Sequence, residues 1–238
     1  MLRLQRNSGC GIVRTEVNGM REQIEEIASC PLFQGIQKDD LPPMMKCLGY
    51  HTASYKKGDY ISLEEEDIKN IGIILRGKVD MVKEDLWGNK TILVRMKVGE
   101  LFGETFACAS SSISMASFCA ASDADILFIP FKRVMRTCAR TCGFHHRLIE
   151  NMVTLIADKN RELIQKVEVI SKRTLREKIL AYLSVQAQVQ GTKYFEVPLG
   201  RLEMADYLCA DRSALTRELS NMRKEGLLDY DKNVFRIC

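Results

Sequence analysis

Three histidines, one tryptophan and five prolines are few for a chain of 238 residues. No apolar run approaches the ~18 residues of a membrane-spanning helix, which excludes an integral helical membrane protein and sets the expectation of a soluble chain with no membrane partner. The N-terminus (MLRLQRNSGCGIVRTEVNG) is basic but lacks the roughly 7–15-residue apolar core of a signal peptide, so a cytoplasmic location is expected. Cys10, Cys30, Cys47, Cys108, Cys119, Cys138, Cys142, Cys209 and Cys238 are odd in number and contain no Cys-x-x-Cys spacing. That is unlike a secreted disulfide framework, and most of these thiols are expected to be reduced. A cupin-like metalloenzyme needs two or more imidazoles and a carboxylate converging inside a barrel. Only His51 precedes the long helix described below, so this alternative ranks last.

What is present is 46% hydrophobic and 28% charged, enough for one or two cores. The net charge of +4 is unevenly placed. Residues 1–170 are nearly neutral, whereas residues 171–238 hold 12 basic and 9 acidic side chains, a modest hint of a polyanionic partner. Residues 1–19 show no periodicity and are expected to be disordered, and Met20 could serve as the biological start. From Tyr55 to Phe131, short β-branched and aromatic runs (IGIIL, VDMV, TILVRM, DILFIPF) alternate with glycine-bearing turns and predict a small antiparallel roll, so residues 20–143 form the expected sensor domain.

Residues 144–170 contain neither glycine nor proline, and Ile149, Ile156, Leu163 and Ile170 recur every seven positions, with Met152 beside them. This predicts a dimerisation helix with these five residues on its interface, although Lys159 and Lys166 interrupt the companion positions of the heptad. The alternative is a helix packed only on its own domain. Thr174 to Glu177 has the form of a capping box, so a new helix opens a C-terminal domain over residues 171–238. There, Leu202, Ala205 and Leu208 predict the inner face of a short helix and Asp211 the N-cap of the next. Leu215, Leu219 and Met222 predict the inner face of that second helix, which ends at Gly226. Its outer face carries Arg212, Ser213, Thr216, Arg217, Ser220 and Arg223, donors suited to base edges and phosphates in a major groove, and Leu227 to Ile237 reads as a hairpin wing.

A roll, a dimer helix and a winged helix-turn-helix in that order resemble the Crp/Fnr family of bacterial transcription regulators. The resemblance covers about residues 24–238. Its sharpest segments are Gly99-Glu100-Leu101-Phe102-Gly103-Glu104, similar to the family's phosphate-binding cassette, and Leu202 to Gly226. It implies an α+β fold with an N-terminal β-roll of the double-stranded β-helix, cyclic-nucleotide-binding type. The partners it implies are a palindromic double-stranded DNA operator, a second copy of the chain, a small-molecule effector and, if the protein activates, RNA polymerase. Arg212 and Arg217 match the family's two base-contacting arginines, while Ser213 stands where glutamate is frequent, implying a different half-site.

The effector segment departs from the cyclic AMP pattern. Gly103, Glu104, Thr105 and Phe106 match the cassette, but Ser114-Met115 replace the Arg-Ser pair that neutralises a cyclic phosphate. Leu163-Ile164 stand near the place of the adenine-contacting Thr-Ser pair. Phe106, Cys108, Ser110 to Ser112, Ser114 and Phe118 suit an uncharged ligand instead. The family's iron–sulfur branch uses clustered N-terminal cysteines, whereas only Cys10 precedes Cys30 here. Cys138, Cys142 and His145, spaced by four and three, share a helical face and form a weaker redox or metal candidate, against the alternative of buried cysteines acting as small hydrophobes. A non-DNA ligand-sensing or scaffold protein would use the roll but leave the basic helix unexplained.

Overall fold

The computed structural model describes residues 12–13, 20–88, 90–135 and 143–238. The chain divides into two compact units, Met1–Ile156 and Ala157–Cys238. Among the described residues, no helix is long and apolar enough to cross a membrane.

In the first unit, strands β1 (Ile12–Val13), β2 (His51–Tyr55), β9 (Ala124–Pro130), β4 (Asn70–Arg76) and β7 (Leu101–Phe102) form an antiparallel sheet in that order. Strands β3 (Tyr60–Ser62), β8 (Ser117–Ala120), β5 (Val79–Glu84) and β6 (Lys90–Met96) form a second. Helices α1 (Met20–Ser29), α2 (Leu41–Leu48), α3 (Glu104–Ala107) and α4 (Phe131–Val134) complete the unit with the start of α5 (Gly143–Ile170).

The two-residue period of β4 explains why IGIIL is apolar throughout. Ile71, Ile73 and Leu75 face a core shared with Leu32, Phe33, Leu41, Met44 and Leu48, whereas Ile74 faces the roll interior. Strand β9 divides likewise, Leu127 and Ile129 to the helices and Ile126 to the roll. A strand buried on both faces has no position for a polar residue. Gly72 is required by crowding, since a Cβ there would lie 2.3 Å from the Phe102 ring.

Two expectations change here. Ile12–Val13, inside the stretch expected to lack structure, form β1 and pair with Ser54 and Ala53. Met152, expected on a dimer seam, is 1% exposed in the first unit's core, because the early turns of α5 are spent covering the helical side of the sheet.

In the second unit, α6 (Leu175–Gln190) is capped by Thr174 and ends at Gly191, which takes the left-handed conformation. Helices α7 (Arg201–Tyr207) and α8 (Arg212–Lys224) follow, with a sheet of β10 (Tyr194–Glu196), β12 (Val234–Ile237) and β11 (Leu228–Asp231) in that order. The core gathers Ile179, Leu183, Phe195, Met204, Ala205, Leu208, Leu215, Leu219, Met222 and Phe235. Strand β10 adds a third strand to the expected hairpin. Leu202, expected inside, is 60% exposed and Met204 takes its place, because the inward line of this two-turn helix runs through Met204, Ala205 and Leu208.

The capping box is reciprocal: Glu177 N donates to Thr174 Oγ1 (3.2 Å), and Glu177 Oε2 accepts from Thr174 N (3.0 Å) and Arg173 N (3.1 Å). The Thr174 amide, foremost, holds the Glu177 carboxyl below its usual pKa. The folded form therefore binds fewer protons than the unfolded one, and the stability this adds is present above the unfolded carboxyl range near about 4 and lost as pH falls through the lower folded value. Glu177→Gln, which can still accept from the amide, is expected to flatten that acid-side loss, read as the urea midpoint between about pH 6 and about pH 3. An unchanged acid slope would remove Glu177 from the capping account.

Candidate nucleic-acid interface

The turn before α8 places Cys209 at φ 51, a left-handed conformation in a non-glycine residue, and so reverses the chain between the two helices. Asp211 then caps α8: its Oδ1 accepts from Ser213 N (2.8 Å), Ala214 N (3.0 Å) and Ser213 Oγ (2.5 Å). The Ser213 hydroxyl contributes most to holding this carboxyl below its ordinary pKa, followed by the two amides, with Arg217 a smaller influence. Ala205, 1% exposed, supplies the small residue where the helices approach.

Leu215, Leu219 and Met222 are fully buried, so helical geometry turns the intervening residues outward. A shallow hollow along this face is lined by Arg212, Ser213, Thr216, Arg217, Ser220, Asn221 and Lys224. The guanidinium groups of Arg212 and Arg217 make no salt bridge or side-chain hydrogen bond among the described residues. Thr216 Oγ1 donates to Arg212 O (2.9 Å), leaving its oxygen available as an acceptor. Arg223 is committed elsewhere: its Nε lies 2.8 Å from Asp229 Oδ1 and its guanidinium lies over Tyr230 at 5.2 Å, so it ties α8 to β11.

Two further arginines escape a reading of the sequence because their partners are distant along the chain. Arg176 on α6 bonds Glu218 (2.5 Å) and Glu225 (2.7 and 2.9 Å), anchoring the middle and the end of α8; these partners, Glu225 foremost, raise its pKa. Arg201 stacks over Phe235 (4.9 Å) and Tyr230 (5.0 Å) and donates to Lys232 O (2.8 Å), fixing the β11–β12 hairpin to α7.

In the roll, Gly103 (φ 78) turns β7 into α3, and Glu104 is buried. Ser114 is buried with Oγ donating to Ala116 O (2.5 Å), whereas Met115 is 71% exposed and Thr105 is exposed. Phe106 and Phe118 are interior core residues, their rings 6.2 Å apart, and Phe102 lies 5.1 Å from Phe118. Cys108 and Ser110 are exposed, whereas Phe106, Ser114 and Phe118 are buried. Arg95 makes a two-pronged pair with the buried Asp80 (2.7 and 2.8 Å).

Cys138 and Cys142 lie outside the described residues. Their expected companion His145 is 2% exposed in the first turn of α5, with Nε2 3.9 Å from Cys47 Sγ, and burial pushes its pKa below the ordinary value.

Comparison with known families now adds to this geometry. Residues 52–141 match the cyclic nucleotide-binding domain, and residues 177–238 match the Crp-like helix-turn-helix domain. No curated protein matches the sequence. Among solved structures, a CprK variant complexed with OCPA is similar with a TM-score of 0.59 at 18% identity, over 83% of this chain and 88% of that one. The c-di-GMP responsive global regulator CLP of Xanthomonas campestris matches at 0.54 and 13%, over 82% and 97%. A CooA mutant from Carboxydothermus hydrogenoformans matches at 0.54 and 17%, over 82% and 85%. At these identities the structures bear on the fold, while the two domain models bear on the family. A cyclic-nucleotide-binding-type roll followed by a DNA-binding domain of this kind is the organisation of regulators rather than enzymes, and the chain belongs to the Crp/Fnr family of transcription regulators.

Proposed function

We propose that the protein works as a parallel homodimer whose two α8 helices read successive major grooves of a two-fold symmetric operator, about 34 Å apart. The observation that carries this reading is the outer face of α8, where Arg212 and Arg217 have no salt-bridge partner among the described residues and sit on a helix fixed by Asp211 at its start. Either guanidinium can donate two hydrogen bonds to guanine O6 and N7. Arg223, held by Asp229, positions the wing instead of reading bases. Arg217→Ala is expected to lose about 1–3 kcal/mol of discrimination at one base position while general affinity falls less, measured by mobility shift against single-base operator variants. Unchanged selectivity would remove Arg217 from the reading set.

The dimer seam follows from exposure along α5. Val153 (61%), Leu163 (59%), Ile164 (61%) and Val167 (51%) are exposed apolar side chains on a helix whose Leu148 and Met152 are buried. The companion row to Ile156, Leu163 and Ile170 is therefore Val153, Asn160 and Val167, which leaves Lys159 and Lys166 as flanking positions. Ile149 and Ile156 are half-buried, and Ile156 packs on the first unit's core. A polar asparagine, Asn160, within an otherwise apolar row specifies the register of the pair. Leu163→Asp is expected to sediment as a monomer and to lose operator binding. A dimeric variant would overturn this seam.

Within the roll, the reading is of an effector other than cyclic AMP. Ser114 Oγ donates to the Ala116 carbonyl and Met115 is apolar, so a phosphodiester entering beside Glu104 would lack its charge-assisted partner at those positions. Such a bond is worth about 1.5–3 kcal/mol. Calorimetry with cyclic AMP and cyclic GMP is expected to show no micromolar binding, and micromolar or tighter binding would overturn this assignment.

A further inference from the structure

The end of α8 carries two adjacent basic residues, and the fold employs them differently. Arg223 is bound to Asp229 at 2.8 Å and lies over Tyr230, so its charge is committed to the wing. Lys224 is exposed and lines the outer hollow with Arg217 and Asn221; among the described residues it makes no salt bridge or side-chain hydrogen bond. The carboxylates that flank it in sequence are engaged elsewhere: Glu218 and Glu225 bond Arg176, and Asp229 holds Arg223. Its ammonium therefore faces solvent without a counter-charge. Helical geometry accounts for the difference. Seven residues bring Lys224 to within about 20° of Arg217 around the helix axis, whereas six leave Arg223 about 120° away, on the flank that meets β11.

We infer that Lys224, with Asn221 beside it, grips a backbone phosphate at the wall of the groove, and that Arg223 takes no part in that contact. The inference rests on the reading of α8 as a major-groove helix and adds to it a phosphate-binding end. Reach decides the assignment. At 1.5 Å per residue, Lys224 lies about 18 Å along the axis from Arg212 and about 10.5 Å from Arg217. A major groove is about 12 Å wide, so a helix that sets its N-terminal arginines on base edges has carried its last turn to the sugar–phosphate backbone. A lysine ammonium is a compact charge on a flexible stem and suits a phosphate oxygen, whereas the paired acceptors of guanine call for the arginine fork. Asn221, about 4.5 Å nearer the base edges than Lys224, has amide hydrogens to donate to the same phosphate group. Contacts of this kind fix register and orientation without reading sequence. A lysine that only complements the negative end of the helix dipole would occupy the same position without touching DNA, and salt dependence separates the two roles.

The test uses the full chain and a duplex recovered from random sequence by selection with the wild type, with fluorescence anisotropy from about 50 to about 300 mM KCl. Expected for Lys224→Gln is a shallower fall of log K with log salt, by about 0.9 for each half-site and about 1.8 for a dimer. Its affinity should drop by one common factor on the selected duplex and on every single-base variant of it. Lys224→Arg should keep the wild-type slope, and Asn221→Ala should weaken binding without changing it, since an amide displaces no counterion. The charge-neutral double change Arg223→Gln with Asp229→Asn should leave the slope as it is. Circular dichroism checks that each variant folds, which these exposed positions favour. If the wild type binds selectively and Lys224→Gln retains its slope, or loses discrimination at one base pair, the phosphate assignment is overturned while the groove reading stands. Wild-type protein that selects no duplex would overturn both.

Discussion

Helix α8 owes its exposed arginines to the burial of Leu215, Leu219 and Met222, spaced four and three residues apart. Each contributes on the order of 1.5–3 kcal/mol by leaving water, and together they fix the rotation of the helix about its axis. Once that rotation is set, Arg212, Ser213, Thr216 and Arg217 have nowhere to point but outward. The cap at Asp211 and the anchors from Arg176 and Arg201 refine the position of a surface whose existence follows from the core. A helix of identical polar residues without that apolar triad would have no defined reading face.

The first unit separates fold from ligand in a comparable way. Strands β4 and β9 are apolar on both faces because the sheet divides two cores, and this alone suffices for a cyclic-nucleotide-binding-type roll. Ser114 and Met115 do not belong to the apolar clusters of either core. The fold of the roll therefore does not by itself fix which ligand it takes.

Legibility from sequence follows the range of the interactions. The capping box at Thr174 and Glu177, the cap at Asp211 and the inner triad of α8 are local, and their spacing announces them. Heptad spacing along α5 suggests Met152 for a seam although it is buried in the first unit's core, because a heptad does not reveal which flank is already used by that core; only three-dimensional burial shows Val153 on the outside. Leu202 misleads for a related reason, since a helix of two turns has too few residues for periodicity to define a face. Arg176 with Glu218 and Glu225, and Cys47 with His145, join partners tens of residues apart and leave no pattern to read.

The triangle of Arg176, Glu218 and Glu225 bears on more than the attachment of α8. Two carboxylates near a surface meant for phosphates would repel the polyanion they approach, and one guanidinium already shared between them cancels part of that field before any duplex arrives. Arg176 therefore acts as an electrostatic mask, helping a helix that carries glutamate to face a backbone of like charge.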